Sequence, residues 1–260
     1  MIKTLSTAAT GLEAQNANIE RISNDLANVN TDGYKKSRTE FNELMVETIK
    51  DPGQQIGASS TTPVGIQKGL GVKVGATHKI FEQGPAKITN NQLDIMIEGK
   101  GFIPIQKANG EVVYTRNGAF QRDAQGRMML SNGAQIVPPI VIPPNSIGLQ
   151  IKSNGEVIST LPNAQEQNLG QIQLMTFANE QGLYSLGDGF YRPSLASGTP
   201  TQGIPGEDGR GTLNQGALEA SNVNVAQSMV EMIQTQRAYE MGTKIMGVAD
   251  QMLNATVNIK

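Results

Sequence analysis

Residues 5–29 read LSTAATGLEAQNANIERISNDLANV and carry a seven-residue repeat that decides the fold at the N-terminal end of this 260-residue chain. The large apolar residues of the repeat are Leu5, Leu12, Ile19, Ile22 and Leu26. A heptad of this kind predicts an amphipathic helix that packs in coiled-coil fashion. The turn-forming residues from Asn30 to Gly33 predict that the helix ends near residue 30.

The C-terminal end has a similar pattern. Its large seam residues are Val225, Met229, Met232, Tyr239, Met246 and Leu253. A parallel row at the same spacing holds small residues, which would let another helix approach closely: Ser228, Thr235, Gly242, Ala249 and Thr256. No proline follows Pro205, and Asn222 and Asn224 can cap the first turn. The pattern predicts a helix from about residue 224 to the end.

The middle of the chain has a different period. Residues 72–80, 93–97 and 172–176 alternate between two kinds of side chain, as strands do. Four Asn-Gly pairs, at 109–110, 117–118, 132–133 and 154–155, are typical of tight hairpin turns. The predicted fold class is therefore α+β, with N- and C-terminal helices packed as a coiled-coil-like domain and an antiparallel β-rich middle domain.

These patterns divide the chain into three parts. Residues 1–30 and 222–260 are predicted to form the terminal helical domain. Residues 71–221 are predicted to form the β-rich domain with its return connector. Between them, residues 31–70 read as an extended connector, and it contains a Gly-, Ser-, Thr- and Gln-rich segment at 46–63.

Composition argues against several functions. The net charge is −2, so there is no basic field to attract nucleic acid. Cysteine is absent and His78 is the single histidine, which leaves few ligands for a metal or cofactor and few groups for catalysis. We see no apolar run long enough to cross a bilayer and no cleavable signal peptide. We therefore expect no enzyme, no cofactor and no small-molecule substrate.

Each terminal helix carries an apolar stripe that needs a covering surface. The two helices could pair with each other, with neighbouring copies of the chain, or with both. From the residues alone, a two-helix stalk within one monomer and a polymer remain open. A secreted β-rich enzyme acting on cell-wall polysaccharide is a further alternative, and it would need a pair of carboxylates such as Asp94 and Glu98.

Four stretches of the chain resemble one family. The run from Ile22 to Arg38 and the run from Ala217 to Glu240 are similar to the two terminal signatures of bacterial flagellar rod and hook proteins. Residues 93–102 and 114–120 resemble the β-domain motifs of the same family. Within it, the chain length and the segment 46–63 resemble the distal part of the rod rather than the hook.

The resemblance implies a structural subunit that is exported through the flagellar type III apparatus without a cleaved signal and polymerises into a hollow, stiff rod of the basal body, spanning the periplasm to the outer membrane. The implied partners are further copies of the chain, proximal rod proteins, hook protein, the P- and L-ring proteins, the rod cap and the export apparatus. The seam residues above would pack between subunits, and the terminal helices would line the inner tube, disordered until assembly. Another axial subunit, either proximal rod or short hook protein, is the alternative within the family.

The resemblance also implies roles for two smaller sets of residues. Helix ends or inter-subunit hydrogen bonds would use four amides: Asn24, Asn28, Asn222 and Asn224. The insertion would contact axial neighbours and add rigidity through Asp51, Pro52, Gly53 and Pro63.

Overall fold

A computed structural model describes residues 2–53, 55–57, 60–61, 64–162 and 165–257. For residues 2, 55–57, 60–61, 253, 256 and 257 it describes the backbone alone. Two α-helices lie within these ranges, α1 at Ile2–Ala27 and α2 at Val225–Val257. In the part of the chain described, neither helix combines the length and apolar character needed to span a membrane.

The chain divides into two compact units. The first unit contains Met1–Leu26, Ser37–His78 and Asn224–Lys260, and the second contains Ala27–Lys36 and Lys79–Val223. Residues 37–78 thus group with the helices, whereas the prediction placed residues 31–70 in a connector and began the β domain at residue 71. The assignment of these parts to an inner tube and an outer domain stays a prediction.

The first unit adds six strands to the two helices. Their bounds are β1 Ser37–Glu43, β2 Val46–Lys50, β3 Gln55–Gly57, β4 Ser60–Thr61, β5 Ile66–Gly69 and β6 Val72–Lys79. Strand β1 pairs with β6, β2 with β5, and β3 with β4. The two inner pairs are nested, so the described residues between 46 and 69 form one long β-hairpin. The segment predicted to be a single extended connector instead folds back on itself.

The second unit is built of short strands. Their bounds are β7 Ala86–Ile88, β8 Ile95–Glu98, β9 Ile103–Gln106, β10 Val112–Thr115, β11 Phe120–Arg122, β12 Met128–Leu130, β13 Gln135–Ile136, β14 Gly148–Ile151, β15 Glu156–Thr160, β16 Glu166–Gln171, β17 Leu174–Thr176, β18 Tyr184–Gly187, β19 Phe190–Arg192, β20 Thr201–Gly203, β21 Thr212–Gln215 and β22 Ala217–Glu219.

The largest sheet of this unit has seven strands in the order β11-β12-β13-β9-β10-β19-β18, and a three-stranded sheet has the order β14-β15-β16. The pairs β17–β20, β21–β8 and β22–β7 complete it. All of these pairs are antiparallel. Two terminal helices and an antiparallel β-rich middle confirm the predicted α+β class.

Three of the four Asn-Gly pairs lie at the predicted hairpin turns. Gly110, Gly133 and Gly155 have φ of +85°, +81° and +86°, between β9 and β10, β12 and β13, and β14 and β15. Gly118 is different, because a Cβ there would lie 1.7 Å from the carbonyl oxygen of Ile95. That glycine is required by a close approach of two backbones and does not close a hairpin.

Two apolar clusters form the core of the second unit. The larger one is aliphatic and includes fully buried residues of β8 and β9, such as Ile95 and Ile103. The smaller one is aromatic: Phe81, Phe102, Tyr114, Phe177 and Tyr191 meet edge to face with ring centroids 5.1–5.7 Å apart. Such pairs add to the stability that burial alone provides.

Candidate functional site

Helix α1 packs against α2 through small residues of α2. A Cβ placed on Gly242 would lie 2.6 Å from Leu12 Cδ2, so the glycine allows this close approach. Thr235 is buried, and its Oγ1 accepts a hydrogen bond of 3.3 Å from Asn18 Nδ2. Both residues belong to the small row found in the sequence. The two helices are antiparallel, because residue numbers rise along α1 as they fall along α2.

Arg21 strengthens the same contact with charge. Its Nη1 lies 3.1 Å from Asp25 Oδ2 and donates to the carbonyl oxygen of Ser37. Its Nη2 lies 3.4 Å from Glu231 Oε2 on α2. One guanidinium therefore joins α1, α2 and the start of β1, as the fork of donors on an arginine permits.

Because the small row faces α1, the large apolar side chains of α2 point elsewhere. We call the following residues the outer face of α2; each is 38–60% exposed: Val225, Met229, Val230, Ile233, Tyr239, Met241, Ile245 and Val248. A monomeric protein rarely leaves so many large apolar side chains on one element in water. The outer face is therefore a surface that lacks a cover within the described part of the chain.

The predicted seam residues divide between buried and exposed positions. On α1, Ile22 is fully buried and the other four are half-buried: Leu5, Leu12, Ile19 and Leu26. On α2, Met232 and Met246 are half-buried, whereas Val225, Met229 and Tyr239 belong to the exposed outer face. Leu253 lies in α2, but its side chain is outside the described residues. Whether these positions pack between subunits stays a prediction.

The four predicted amides lie at or near helix ends. Asn224 Oδ1 accepts a 3.2 Å hydrogen bond from Gln227 N at the start of α2. Asn28 O accepts from Thr31 N just after α1 ends, and Asn24 is exposed on the last turns of α1. Asn222 stands apart, since it is held inside the second unit. A role in hydrogen bonds between subunits stays a prediction for all four.

The hairpin at residues 46–69 is attached to α1 near its start. Lys3 Nζ lies 2.6 Å from Glu47 Oε2, and the hydrogen bond and charge of Lys3 lower the pKa of Glu47. This pair is exposed and is worth little by itself. Ile49, Val64 and Ile66 on the hairpin are 55–75% exposed. A two-stranded ribbon with an uncovered apolar face is marginal in water.

Three of the four predicted insertion residues lie on this hairpin. Asp51, Pro52 and Gly53 follow β2 in an exposed turn, and Gly53 has φ of +83°. Pro63 lies outside the described residues. At the base of the hairpin, Leu44 N donates a 2.9 Å hydrogen bond to the carbonyl oxygen of Gly71. The two chain ends that enter the hairpin are therefore adjacent.

A group of three buried charged side chains joins distant parts of the second unit, and we call it the charge clasp. It consists of Lys35, Arg116 and Glu219, whose side chains are at most 1% exposed. Lys35 Nζ lies 2.6 Å from Glu219 Oε1, and Arg116 Nε lies 2.9 Å from Glu219 Oε2. One carboxylate is therefore the shared counter-charge of two cations that are shielded from water.

Backbone groups complete the hydrogen bonding of the clasp. Lys35 Nζ also donates to the carbonyl oxygen of Glu82 at 2.6 Å, and Arg116 Nη2 donates to that of Gly99 at 2.7 Å. Gly84 N donates to Glu219 Oε1 at 2.9 Å. Buried charges are tolerated when their remaining donors and acceptors are satisfied in this way.

The electrostatics of the clasp depend on burial. Burial lowers the pKa of Lys35 from its ordinary value of 10.5, and the nearby Arg116 lowers it further, while Glu219 opposes both. Burial also raises the pKa of the neighbouring Tyr191 to about 12. Within the clasp, the carboxylate of Glu219 is therefore the group that opposes the lowering of the Lys35 pKa.

The clasp also holds together the two segments that connect to the helices. Gly33 N donates to the carbonyl oxygen of Glu219 at 2.7 Å, and Lys36 N donates to Asn222 Oδ1 at 2.7 Å. Asn222 Nδ2 in turn donates to the carbonyl oxygen of Ile80 at 2.9 Å. Within the second unit, the segment after α1 and the segment before α2 thus lie side by side.

The sequence reasoning did not find the clasp. No spacing rule brings residues 35, 116 and 219 together, because their separations follow from the path of the whole β-rich unit. One signal was available, since three of the family-like motifs contribute one member each and the remaining motif contributes the carbonyl oxygen of Gly99, which accepts from Arg116. Lys35 lies in the first motif, Gly99 in the second, Arg116 in the third and Glu219 in the fourth. The motifs therefore converge on one buried cluster.

His78 lies near one carboxylate. It is half-buried on β6, and its Nδ1 lies 3.8 Å from Glu40 Oε1. Within the described ranges, no group of three or more histidine, aspartate or glutamate side chains is placed to hold a metal ion.

Three protein-family models match the chain. "Flagella basal body rod protein" matches residues 5–35, "Flagellar hook protein FlgE/F/G D1 domain" residues 96–159, and "Flagellar basal body rod FlgEFG protein C-terminal" residues 214–259. The first and last contain α1 and α2, and the middle one covers much of the β-rich unit. These matches define an axial protein of the bacterial flagellum, of the rod and hook class.

Individual relatives narrow the class. The flagellar basal-body rod protein FlgG of Buchnera aphidicola subsp. Schizaphis graminum is 44% identical over 97% of this chain and 98% of its own length. The FlgG proteins of Caulobacter vibrioides and Borreliella burgdorferi are 42% and 40% identical to this chain. Both similarities extend over all of this chain, and they cover 100% and 99% of the length of the two relatives, respectively. The chain belongs to the FlgG family of flagellar basal-body rod proteins, and it is a structural subunit of the flagellar rod.

Proposed function

We propose that copies of this chain assemble into the distal part of the rod as a hollow, stiff tube that transmits motor torque to the hook. The outer face of α2 carries the proposal. Its side chains are half exposed on a helix whose other face already contacts α1. Full burial of such a side chain is worth roughly 1.5–3 kcal/mol, so a neighbouring copy that covers several of them binds favourably.

The hairpin at residues 46–69 would supply a second contact along the tube. Its exposed apolar residues need a cover, and a ribbon clamped between axial neighbours would oppose sliding of one subunit past the next. Resistance to sliding distinguishes a stiff shaft from a bending one. In this proposal Asp51, Pro52 and Gly53 belong to the turn that makes the axial contact.

The proposal includes the setting of the rod. The tube would span the periplasm to the outer membrane, after export without a cleaved signal. It would join proximal rod proteins to hook protein, inside the P- and L-rings, with help from a rod cap and the export apparatus. The chain would have no catalytic activity, so purified protein should not hydrolyse peptidoglycan. A proximal rod or short hook subunit is the alternative within the same class.

The outer face can be tested by a triple substitution, Ile233→Gln, Met241→Gln and Ile245→Gln. Glutamine suits a helix, so we expect the unfolding midpoint of the monomer to change little while sedimentable polymer and motility are lost. The matched control replaces three exposed residues of the second unit: Val112→Gln, Val141→Gln and Ile147→Gln. A triple variant of α2 that polymerises as well as this control would contradict the proposal.

The hairpin can be removed whole because its ends are adjacent. Deleting residues 46–69 joins Met45 to Leu70 across the existing hydrogen bond between Leu44 and Gly71. We expect polymers that are bent or irregular in length by electron microscopy. The control Ile49→Ser with Ile66→Ser keeps the ribbon but removes its apolar contact, and it should give an intermediate result. Straight polymers of normal length from the deletion would refute the axial role.

The terminal helices are proposed to order fully only on assembly, because an uncovered helix pair has few contacts to hold it. Timed trypsin digestion of monomer verified by sedimentation should cut early at Arg21, Arg237 and Lys244. Cleavage at Lys35 should be late, since that side chain is fully buried in the clasp. Helices that resist digestion in the monomer would show that they are ordered before assembly.

A further inference from the structure

The outer face of α2 carries two cations in the middle of its apolar residues. Arg237 and Lys244 are exposed and seven residues apart, which places them on one line along the helix. Neither forms an ion pair with another described residue. Glu240 stands three residues after Arg237 and four before Lys244, which is close enough to pair with either; it pairs with neither here, and its one charge balances at most one of the two cations. Two like charges on an apolar surface that awaits a cover need counter-charges on that cover.

The exposed strip of α1 has the complementary character. Apart from its glutamates and amides it carries small side chains, including Ser6, Ala9, Ser23 and Ala27. Two glutamates, Glu13 and Glu20, stand on it seven residues apart. Glu13 has no ion pair among the described residues, and Glu20 only accepts a hydrogen bond from Asn16. The strip therefore offers small residues to large ones and anions to cations.

The spacing of the two cations on α2 matches the spacing of the two glutamates on α1. Contacts within one chain place Leu12 level with Gly242 and Asn18 level with Thr235. On that scale Arg237 lies three to four residues, or about 5 Å, along α2 from the level of Glu20. Lys244 lies the same distance from the level of Glu13. A single axial displacement between two copies therefore brings both pairs together.

We propose that the outer face of α2 is covered by the exposed strip of α1 from a second copy, with Glu20 paired to Arg237 and Glu13 to Lys244. Rotation about an axis along the helices relates copies in a ring or helical array and keeps α1 antiparallel to α2 of the neighbour. The contact is heterologous, so it propagates from copy to copy instead of closing a dimer. This inference rests on the proposed self-assembly and names the surfaces that perform it.

Charge reversal tests the pairing. One variant carries Glu13→Lys with Glu20→Lys, another carries Arg237→Glu with Lys244→Glu, and a third combines all four. All four side chains are exposed and form no ion pair with another described residue, so the monomers should unfold nearly as the wild type does, apart from the like charges that the α2 variant places beside Glu240. We expect each double variant to raise the critical concentration for polymerisation by at least about tenfold, ~1.4 kcal/mol. The fourfold variant should return to within about threefold of the wild type.

The control carries Glu166→Lys with Glu207→Lys, which changes net charge as the α1 variant does but on exposed residues of the second unit. It should polymerise normally. Double variants that assemble like this control overturn the pairing, and so does a fourfold variant that stays defective. A defect confined to the α2 variant would mean that another surface covers α2. Wild-type protein that fails to polymerise would instead reject the proposed self-assembly itself.

The salt dependence of polymerisation is an independent test of the pairing. Raising the ionic strength from about 0.05 to about 0.5 M shortens the Debye length and so weakens ion pairs at the edge of an interface. The same change does not weaken apolar burial. The critical concentration of the wild type should therefore rise with sodium chloride, and that of a variant with all four positions replaced by Gln should not. Equal salt dependence of the two would overturn the pairing.

Discussion

Replacing Glu219 with Gln tests whether the charge clasp stabilises the β-rich unit. The substitution keeps the shape of the side chain but leaves Lys35 and Arg116 without their shared counter-charge, and both side chains are at most 1% exposed. Removing one partner from a buried ion cluster costs roughly 3–5 kcal/mol, because the remaining charges stay desolvated. We expect the free energy of unfolding to fall by ~4 kcal/mol.

Urea denaturation of the full chain measures this loss. The chain has no tryptophan and five tyrosines, so tyrosine fluorescence and circular dichroism are suitable signals. With a slope of about 2 kcal/mol per molar urea, a loss of ~4 kcal/mol moves the unfolding midpoint down by about 2 M. The variant should also be cut by trypsin at Lys35 much earlier than the wild type.

A second substitution separates charge balance from packing. Lys35→Met removes one cation but leaves Glu219 with Arg116 Nε and with the backbone N–H of Gly84. The remaining pair is satisfied, so this change should cost less than half as much as Glu219→Gln. A midpoint shift below about 0.5 M for Glu219→Gln, or a larger loss for Lys35→Met, would refute the reasoning.

Two further predictions concern the helix pair and the response to alkali. Gly242→Ile should destabilise the pair of helices, because even a Cβ there lies 2.6 Å from Leu12 Cδ2, whereas Gly247→Ala meets nothing within 4 Å and should stabilise α2 by about 1 kcal/mol. Thermal unfolding of the assembled polymer, in which both helices are ordered, measures both effects, and equal tolerance of the two changes would contradict the packing. Burial holds the pKa of Tyr191 at about 12, above its ordinary value of 10.0. The protonated phenol therefore stabilises the fold below pH 10, and this contribution is lost as pH rises through about 12. Urea midpoints from pH 9 to 12 should fall more steeply for the wild type than for Tyr191→Phe, and parallel curves would show that Tyr191 is not responsible.

Local periodicity predicted much of the fold. A seven-residue repeat of apolar residues requires a helix with one apolar stripe, and alternation with Asn-Gly turns requires hairpins, so both helices and the β-rich middle follow from neighbours in sequence. Prediction from local periodicity was wrong where the residue types fit more than one local structure. The polar segment at 46–63 carries no strong alternation, and its pairing depends on residues 66–69 after it. Asn117-Gly118 had the composition of a turn but serves a close approach to Ile95.

The sequence by itself determined the two terminal helices, the β-rich character of the middle, and the motifs that assign the chain to its family, because these depend on residues close together along the chain. The tertiary structure alone decided which side of α2 faces α1. The row of small residues and the row of large apolar residues repeat at the same spacing, so the sequence allows either row to face α1. The small row faces α1 because Gly242 and Thr235 let the helices approach closely. The large row is left exposed for other copies. The clasp is also a product of tertiary structure, since Lys35 and Glu219 become partners only when the whole second unit has folded between them.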